Sequence, residues 1–199
     1  ATTTLAALAG IRTFDTGGIA GVHRGWADHM DISADLRAMA DSPVTVVCSG
    51  AKAFLDLPAT MELLESLSVA FIGYCTDIFP SFYSRETDIA LEHRVDDVAD
   101  IAAQMAYQDA LGLREGILVV NPIPERDEIP RTVIDGAIEQ ALREAEQQGI
   151  IGKAVTPFVL ARVIDITGGA SLTANVALVV NNARVGAEIA VAYAAVAKR

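Results

Sequence analysis

The chain of 199 residues reads as an α/β protein, an α/β/α sandwich around a mostly parallel sheet. Three observations predict this. Short β-branched runs ("IRTF", "VTVVCS", "VAFIGY", "GILVVN") alternate with helical patterns. The runs are nearly continuous in apolar residues, as in strands covered on both faces, and lack the in-out alternation of a half-wet sheet. A 52% hydrophobic composition at this length fills one sizeable core, so residues 1–199 are expected to form a single domain.

Each element has a local reason. "ATTTLAALAG" reads as a helix stopped by Gly10. "IRTF" is a strand leading into the glycine-rich "TGGIAGVHRG". In "DISADL", Asp31 or Ser33 is placed to cap a helix. If that segment is helical throughout, Asp31 and Asp35 share one face, and two carboxylates there suit a hard cation. "VTVVCS" precedes the helix "PATMELLESL", and "VAFIGY" precedes an irregular stretch, "YCTDIFPSFYSRETDIALEHR", expected to be mobile or to cover a pocket. Helices then follow around "VDDVADIAAQMAYQDALG", after Pro130 with a stop at Gly149, and around Pro157 with a stop at Gly168 and Gly169. The tail from Ser171 is one or two apolar helices packed on the core or a subunit partner.

A net charge of −11 argues against unspecific binding to nucleic acid or acidic membranes, but leaves room for a phosphorylated small molecule held by a few local donors. Cys48 and Cys75 sit in apolar runs and are expected to be buried thiols of a reduced compartment. No apolar run approaches the ~20 residues of a membrane span, and no signal-peptide pattern is present. A cytoplasmic protein is the expectation.

Ligands of open α/β sheets bind at the carboxyl ends of strands. Thr16, His23 and Arg24 follow the first strand, and Ser49, Gly50 and Lys52 the second. The glycine-rich turn suits an anion but is neither a P-loop nor a clean dinucleotide fingerprint. His29 and His93 read as surface or satisfied polar residues. Lys52 is one of only three lysines. After a buried strand it is either an exposed charge or an amine whose pKa falls in a partly apolar cleft, which makes it a nucleophile toward carbonyls.

Taken together, "TGGIAGVHRG", "DISADL", "VTVVCSGAK", "GYCTDIFPSFYSR", "NPIPE", "IGKAVTPFVLARVIDITGG" and "SLTANVALVVNNA" resemble pseudouridine-5′-phosphate glycosidase, in order and spacing, over essentially the whole chain. The resemblance implies cleavage, or reversible formation, of the C–C bond between uracil and ribose 5-phosphate. It implies a Schiff base on Lys52, a divalent metal (commonly manganese) at Asp35, and Asn175 in the active site. Thr16, His23 and Ser33 would contact sugar or phosphate. It also implies a homotrimer. A family chain is longer at its N-terminus by roughly a hundred residues, a piece of small-domain size. That piece carries a glutamate and a second lysine, so this chain is expected to match the C-terminal two-thirds, with the remainder possible as a separate chain. Ala20 and Ser49 replace a usual glycine and alanine, which implies an altered base pocket. A C-glycosynthase joining ribose 5-phosphate to an aromatic or polyketide acceptor is the alternative with the same lysine. A catalytically inert assembly subunit and a dinucleotide-binding oxidoreductase are the readings from other classes.

Overall fold

The computed structural model describes residues 2–197, with the side chains of His29 and Lys153 outside that description. Its centre is a five-stranded parallel sheet. The strands are β1 (Thr13–Asp15), β3 (Thr45–Cys48), β5 (Ala70–Tyr74), β6 (Arg94–Val95) and β7 (Ile117–Val120), in the order β1-β3-β7-β5-β6. β2 (Val22–His23) and β4 (Leu55–Asp56) form a small antiparallel ribbon beside it, which the sequence pattern did not signal. Two-residue strands carry no measurable periodicity.

The two faces of the sheet explain the continuous apolar runs. In β3, Val46 and Cys48 point to one side and Val47 to the other; in β7, Leu118 and Val120 oppose Ile117 and Val119. The first face packs against Leu36 and Met39 of α3 (Ala34–Ala40), Ile134 and Ile138 of α6 (Arg131–Gln147), and Val159 and Val163 of α7 (Val155–Ile166). The second packs against Ile101 and Met105 of α5 (Val98–Leu111), and Val185 and Ile189 of α8 (Ala170–Val196). Helices on both faces make the α/β/α sandwich.

Helix ends follow the chemistry of their caps. Ser33 caps α3, its Oγ accepting from the Asp35 amide at 3.1 Å. Asp56 caps α4 (Leu57–Ser66) through the Ala59 amide at 3.0 Å, and Asp97 caps α5. α1 (Thr2–Leu8) ends before Gly10, and the short α2 (Trp26–His29) precedes α3. Pro130 sits at the N-cap of α6, one residue before the helix.

The C-terminal tail is one helix of 27 residues. By length and composition it could cross a membrane, contrary to the expectation that no segment reaches that length. It does so because alanine and valine, with Leu172, Leu178 and Ile189, extend around most of its circumference. One face (Ala174, Leu178, Asn182, Val185, Ile189) lies against the sheet and α5, while Val176, Val180 and Val191 on other faces are exposed.

Two further expectations change, and a third is narrowed. Asp31 precedes α3: its carbonyl accepts from the His23 amide and Ile32 bridges Val22, so Asp31 and Asp35 do not share a helix face. Cys48 is buried but Cys75 is exposed, because the chain turns out of the sheet there with φ 55°. The irregular stretch after β5 meets the pocket-covering one of its two expected roles: Phe79, Phe82 and Tyr83 are buried, bridges join Ser81 to Gly50 and Ile78 to Ala90, and Phe82 lines a cavity.

Candidate active site

The loops after β1 and β3 interlock beyond the sheet. The Ser49 amide donates to the Gly17 carbonyl at 2.9 Å, the Ile19 amide to Gly50 at 3.0 Å, and the Lys52 amide to Ile19 at 3.1 Å. Gly50 is required twice over. Its φ is +80°, and a Cβ there would overlap the Pro80 carbonyl oxygen and lie 2.9 Å from the Pro80 carbon. Gly18 gives room to the Phe82 ring, which a Cβ there would overlap.

These loops open on a cavity of ≈ 330 Å³, with Asp35 and Lys52 as its charged lining residues. Thr16 enters from the β1 loop, Asp35 from the first turn of α3, Lys52 from the β3 loop, and Asn175 from α8. Phe14, Met39, Phe82, Leu160 and Val179 supply apolar wall. Burial lowers the pKa of Lys52 below its ordinary value of 10.5, while the Asp35 carboxylate pulls the other way. The surroundings therefore raise the fraction of neutral amine, the form that adds to a carbonyl. Asn175 brings a side-chain amide to the same space; its Oδ1 would lie 3.3 Å from a Cβ at Gly17.

Two residues singled out in the sequence lie elsewhere. His23 lines a second, larger cavity of ≈ 700 Å³ with Phe54, Leu142 and Ile151; its Nδ1 is 3.9 Å from an Asp31 carboxylate oxygen. Ser33 is occupied as the helix cap and does not line the Lys52 cavity. Of the two substitutions expected to mark a changed pocket, Ala20 lines the cavity, whereas Ser49 is fully buried behind it. His93 is exposed, and the His29 side chain lies outside the described residues. Phe82, within the stretch expected to be mobile or to cover a pocket, lines the cavity. It stands at φ 58°, a strained conformation for a bulky side chain. Its amide bonds the Ser49 carbonyl at 2.9 Å, a pairing between distant segments that leaves no local pattern.

Among the described residues no group of three or more His, Cys, Asp or Glu side chains is arranged to hold a metal. Asp35 stands as a single carboxylate in the cavity. This fits a hard cation that keeps most of its water ligands, and does not fit an all-protein cage or a zinc site.

Residues 1–192 match the family described as indigoidine synthase A like protein. A pseudouridine-5′-phosphate glycosidase of Paracoccus denitrificans (strain Pd 1222) is 57% identical over 194 residues, which cover 98% of this chain and 64% of that protein. The enzyme of the same name from Myxococcus xanthus (strain DK1622) is 54% identical over 195 residues, with 98% and 64% covered. Among solved structures, the prealnumycin C-glycosynthase AlnA in complex with ribulose 5-phosphate superposes with a TM-score of 0.91 at 37% identity, covering 100% of this chain and 66% of that one. An indigoidine synthase A-like protein from Thermotoga maritima gives 0.85 at 36% identity, with 95% and 62% covered. The chain thus spans just under two-thirds of the length of the curated relatives it matches.

Proposed function

Because the chain belongs to the indigoidine synthase A like protein family, we propose that it handles the C–C bond between a base and ribose 5-phosphate, releasing uracil from pseudouridine 5′-phosphate or running in reverse. The observation that carries this reading is the Lys52 amine. It is depressed in pKa by burial and shares one cavity with Thr16, Asp35 and Asn175. The names of the similar glycosidases and the ribulose 5-phosphate in the related C-glycosynthase structure support the sugar phosphate as ligand.

A C-glycoside has no leaving group that a carboxylate pair can protonate off, so ordinary glycosidase chemistry is insufficient. An amine solves this. The Lys52 Nζ–C1′ bond forms as the bond from C1′ to the ring oxygen breaks and that oxygen takes a proton. The nitrogen lone pair then forms C1′=N as the C1′–base bond breaks. Its electron pair stays with the base carbon, which is protonated. Water hydrolyses the imine, returning Lys52 and ribose 5-phosphate. Asn175 is placed to orient the base or sugar, and Thr16 to hold a sugar or phosphate oxygen.

Asp35 is the residue that would hold a divalent cation, manganese being our choice, which when bound would supply positive charge beside an anionic substrate. His23 and Ser33 remain candidates for sugar or phosphate contact only if the segments carrying them move toward Lys52. Exposed apolar side chains along α8, among them Val176, Val180 and Val191, support an assembled form, and the homotrimer is our reading. The cytoplasm is the proposed compartment.

The second reading, a C-glycosynthase acting on an aromatic acceptor, is favoured by the extent of the match to the prealnumycin enzyme. Borohydride reduction in the presence of ribose 5-phosphate tests both. A covalent adduct on Lys52 is expected, and its absence refutes the imine. Uracil release from pseudouridine 5′-phosphate then separates the two readings.

A further inference from the structure

We infer that Asn182 is a positioning residue of the Lys52 cavity, fixing the Thr16–Gly17 turn from behind. The inference deepens the proposed sugar-phosphate site and rests on that reading. Asn182 is fully buried on α8. Its Nδ2 donates to the Thr16 carbonyl at 2.8 Å and to Ser49 Oγ at 3.2 Å, with the Gly17 carbonyl at 3.4 Å. Its Oδ1 accepts from Asn121 Nδ2 at 2.9 Å, and Ser49 Oγ donates to the Asn121 carbonyl at 2.9 Å.

The orientation of this amide is determined. A backbone carbonyl only accepts, so the nitrogen must face Thr16, and the oxygen is left for Asn121. One side chain thereby ties the carboxyl ends of β1, β3 and β7 to α8. A buried polar network of this kind allows one arrangement, because each alternative strands a donor or acceptor.

The geometry connects this network to the cavity. Asn175 and Asn182 are seven residues apart, about two helical turns, and so share a face of α8. The first reaches the cavity and the second reaches the back of the turn that forms the cavity wall. Thr16, Gly17 and Gly18 all line the cavity. Their placement relative to Lys52 is set by Asn182 on one side and by the Ile19–Lys52 backbone pairing on the other. Ser49 takes part in the network but is not needed for the bond to Thr16.

The test measures ribose 5-phosphate affinity by calorimetry and the borohydride trapping rate at saturating sugar phosphate. The proteins are the unsubstituted chain, Asn182→Ala, the isosteric Asn182→Asp and Ser49→Ala. Folded fraction is read by circular dichroism at the assay temperature. For folded protein, both Asn182 variants are expected to lose at least about tenfold in affinity, since small misplacement of a binding group is costly. Ser49→Ala should stay within about twofold. A folded Asn182 variant with unchanged affinity overturns the inference, and so does a Ser49→Ala loss equal to that of Asn182→Ala. If neither Asn182 variant folds, the residue is scaffold alone and the inference fails. If the unsubstituted chain binds ribose 5-phosphate but gives no adduct, the Lys52 imine is refuted, while the affinities still decide the role of Asn182.

Discussion

Gly50→Ala should cost far more than an ordinary glycine substitution, and the structure separates the reasons. The residue has φ +80°, and placing an alanine in the left-handed region costs about 1 kcal/mol. Its Cβ would also meet the backbone of Pro80, 2.9 Å from the carbonyl carbon and closer still to the oxygen. The Pro80 segment would have to retreat, which strains the Phe82–Ser49 hydrogen bond of 2.9 Å, worth about 1 kcal/mol. It would also disturb buried Phe79 and Phe82, an overpacking cost of roughly 1–3 kcal/mol. Together these give about 3–5 kcal/mol. Gly10→Ala is the control, since φ is +74° there but nothing lies within 4 Å of an added Cβ. Only the conformational cost of about 1 kcal/mol applies to it. With a urea slope of about 2 kcal/mol/M, the unfolding midpoint should fall by roughly 1.5–2.5 M for Gly50→Ala and about 0.5 M for Gly10→Ala. Equal shifts would refute the close approach of the two loops, and with it the cavity wall built on that contact.

Four other outcomes are expected. Lys52→Met should abolish borohydride trapping and, at neutral pH, be more stable than the parent chain. The sign follows from burial: between the depressed folded pKa and the ordinary 10.5, the unfolded chain binds the extra proton, so the parent gains stability as pH rises through that window. Urea melts at neutral and strongly alkaline pH should show the advantage of Lys52→Met shrinking; a growing advantage contradicts the assignment. Asp35→Asn should remove any manganese-dependent rise in melting temperature, and a rise that persists places the ion elsewhere. Asp56→Ala should lose about 1 kcal/mol through the missing cap on α4, read by thermal melts against Glu92→Ala as an exposed control. Iodoacetamide should label exposed Cys75 in the native protein and leave Cys48, buried with its pKa pushed up to about 12, unmodified until unfolding.

Much of the fold was readable because its signals are local. Three of the five strands of the central sheet, β3, β5 and β7, are nearly continuous apolar runs, and the ends of α3 and α5 are marked by a cap or a following glycine. β6 and the β2–β4 ribbon went unseen because two residues cannot display a period, and their pairing is decided by partners elsewhere in the chain. The exposure of Cys75 shows the same limit: an apolar neighbourhood in sequence does not reveal that the backbone turns outward at that residue. For the site, the lysine after a buried strand was visible as an unusual residue in a lysine-poor chain. Of its company, Thr16 was visible from its place after a strand and Asp35 from the spacing of two carboxylates, whereas Asn175 was visible only through resemblance.

The sequence by itself determined the layered α/β architecture, the family and the amine at Lys52, since strand composition, helix caps and ordered motifs are written in neighbouring residues. Only the tertiary structure decided which polar groups share a cavity. It brought Thr16, Asp35, Lys52 and Asn175 together from four separate elements, placed His23 in another cavity, and assigned Ser33 to a helix cap. It also set Asn182 behind the turn, 166 residues from the carbonyl it holds. The reason is physical: burial, hydrogen-bond partners and the pKa of an amine depend on what surrounds a group in space, and that is fixed only when distant segments pack.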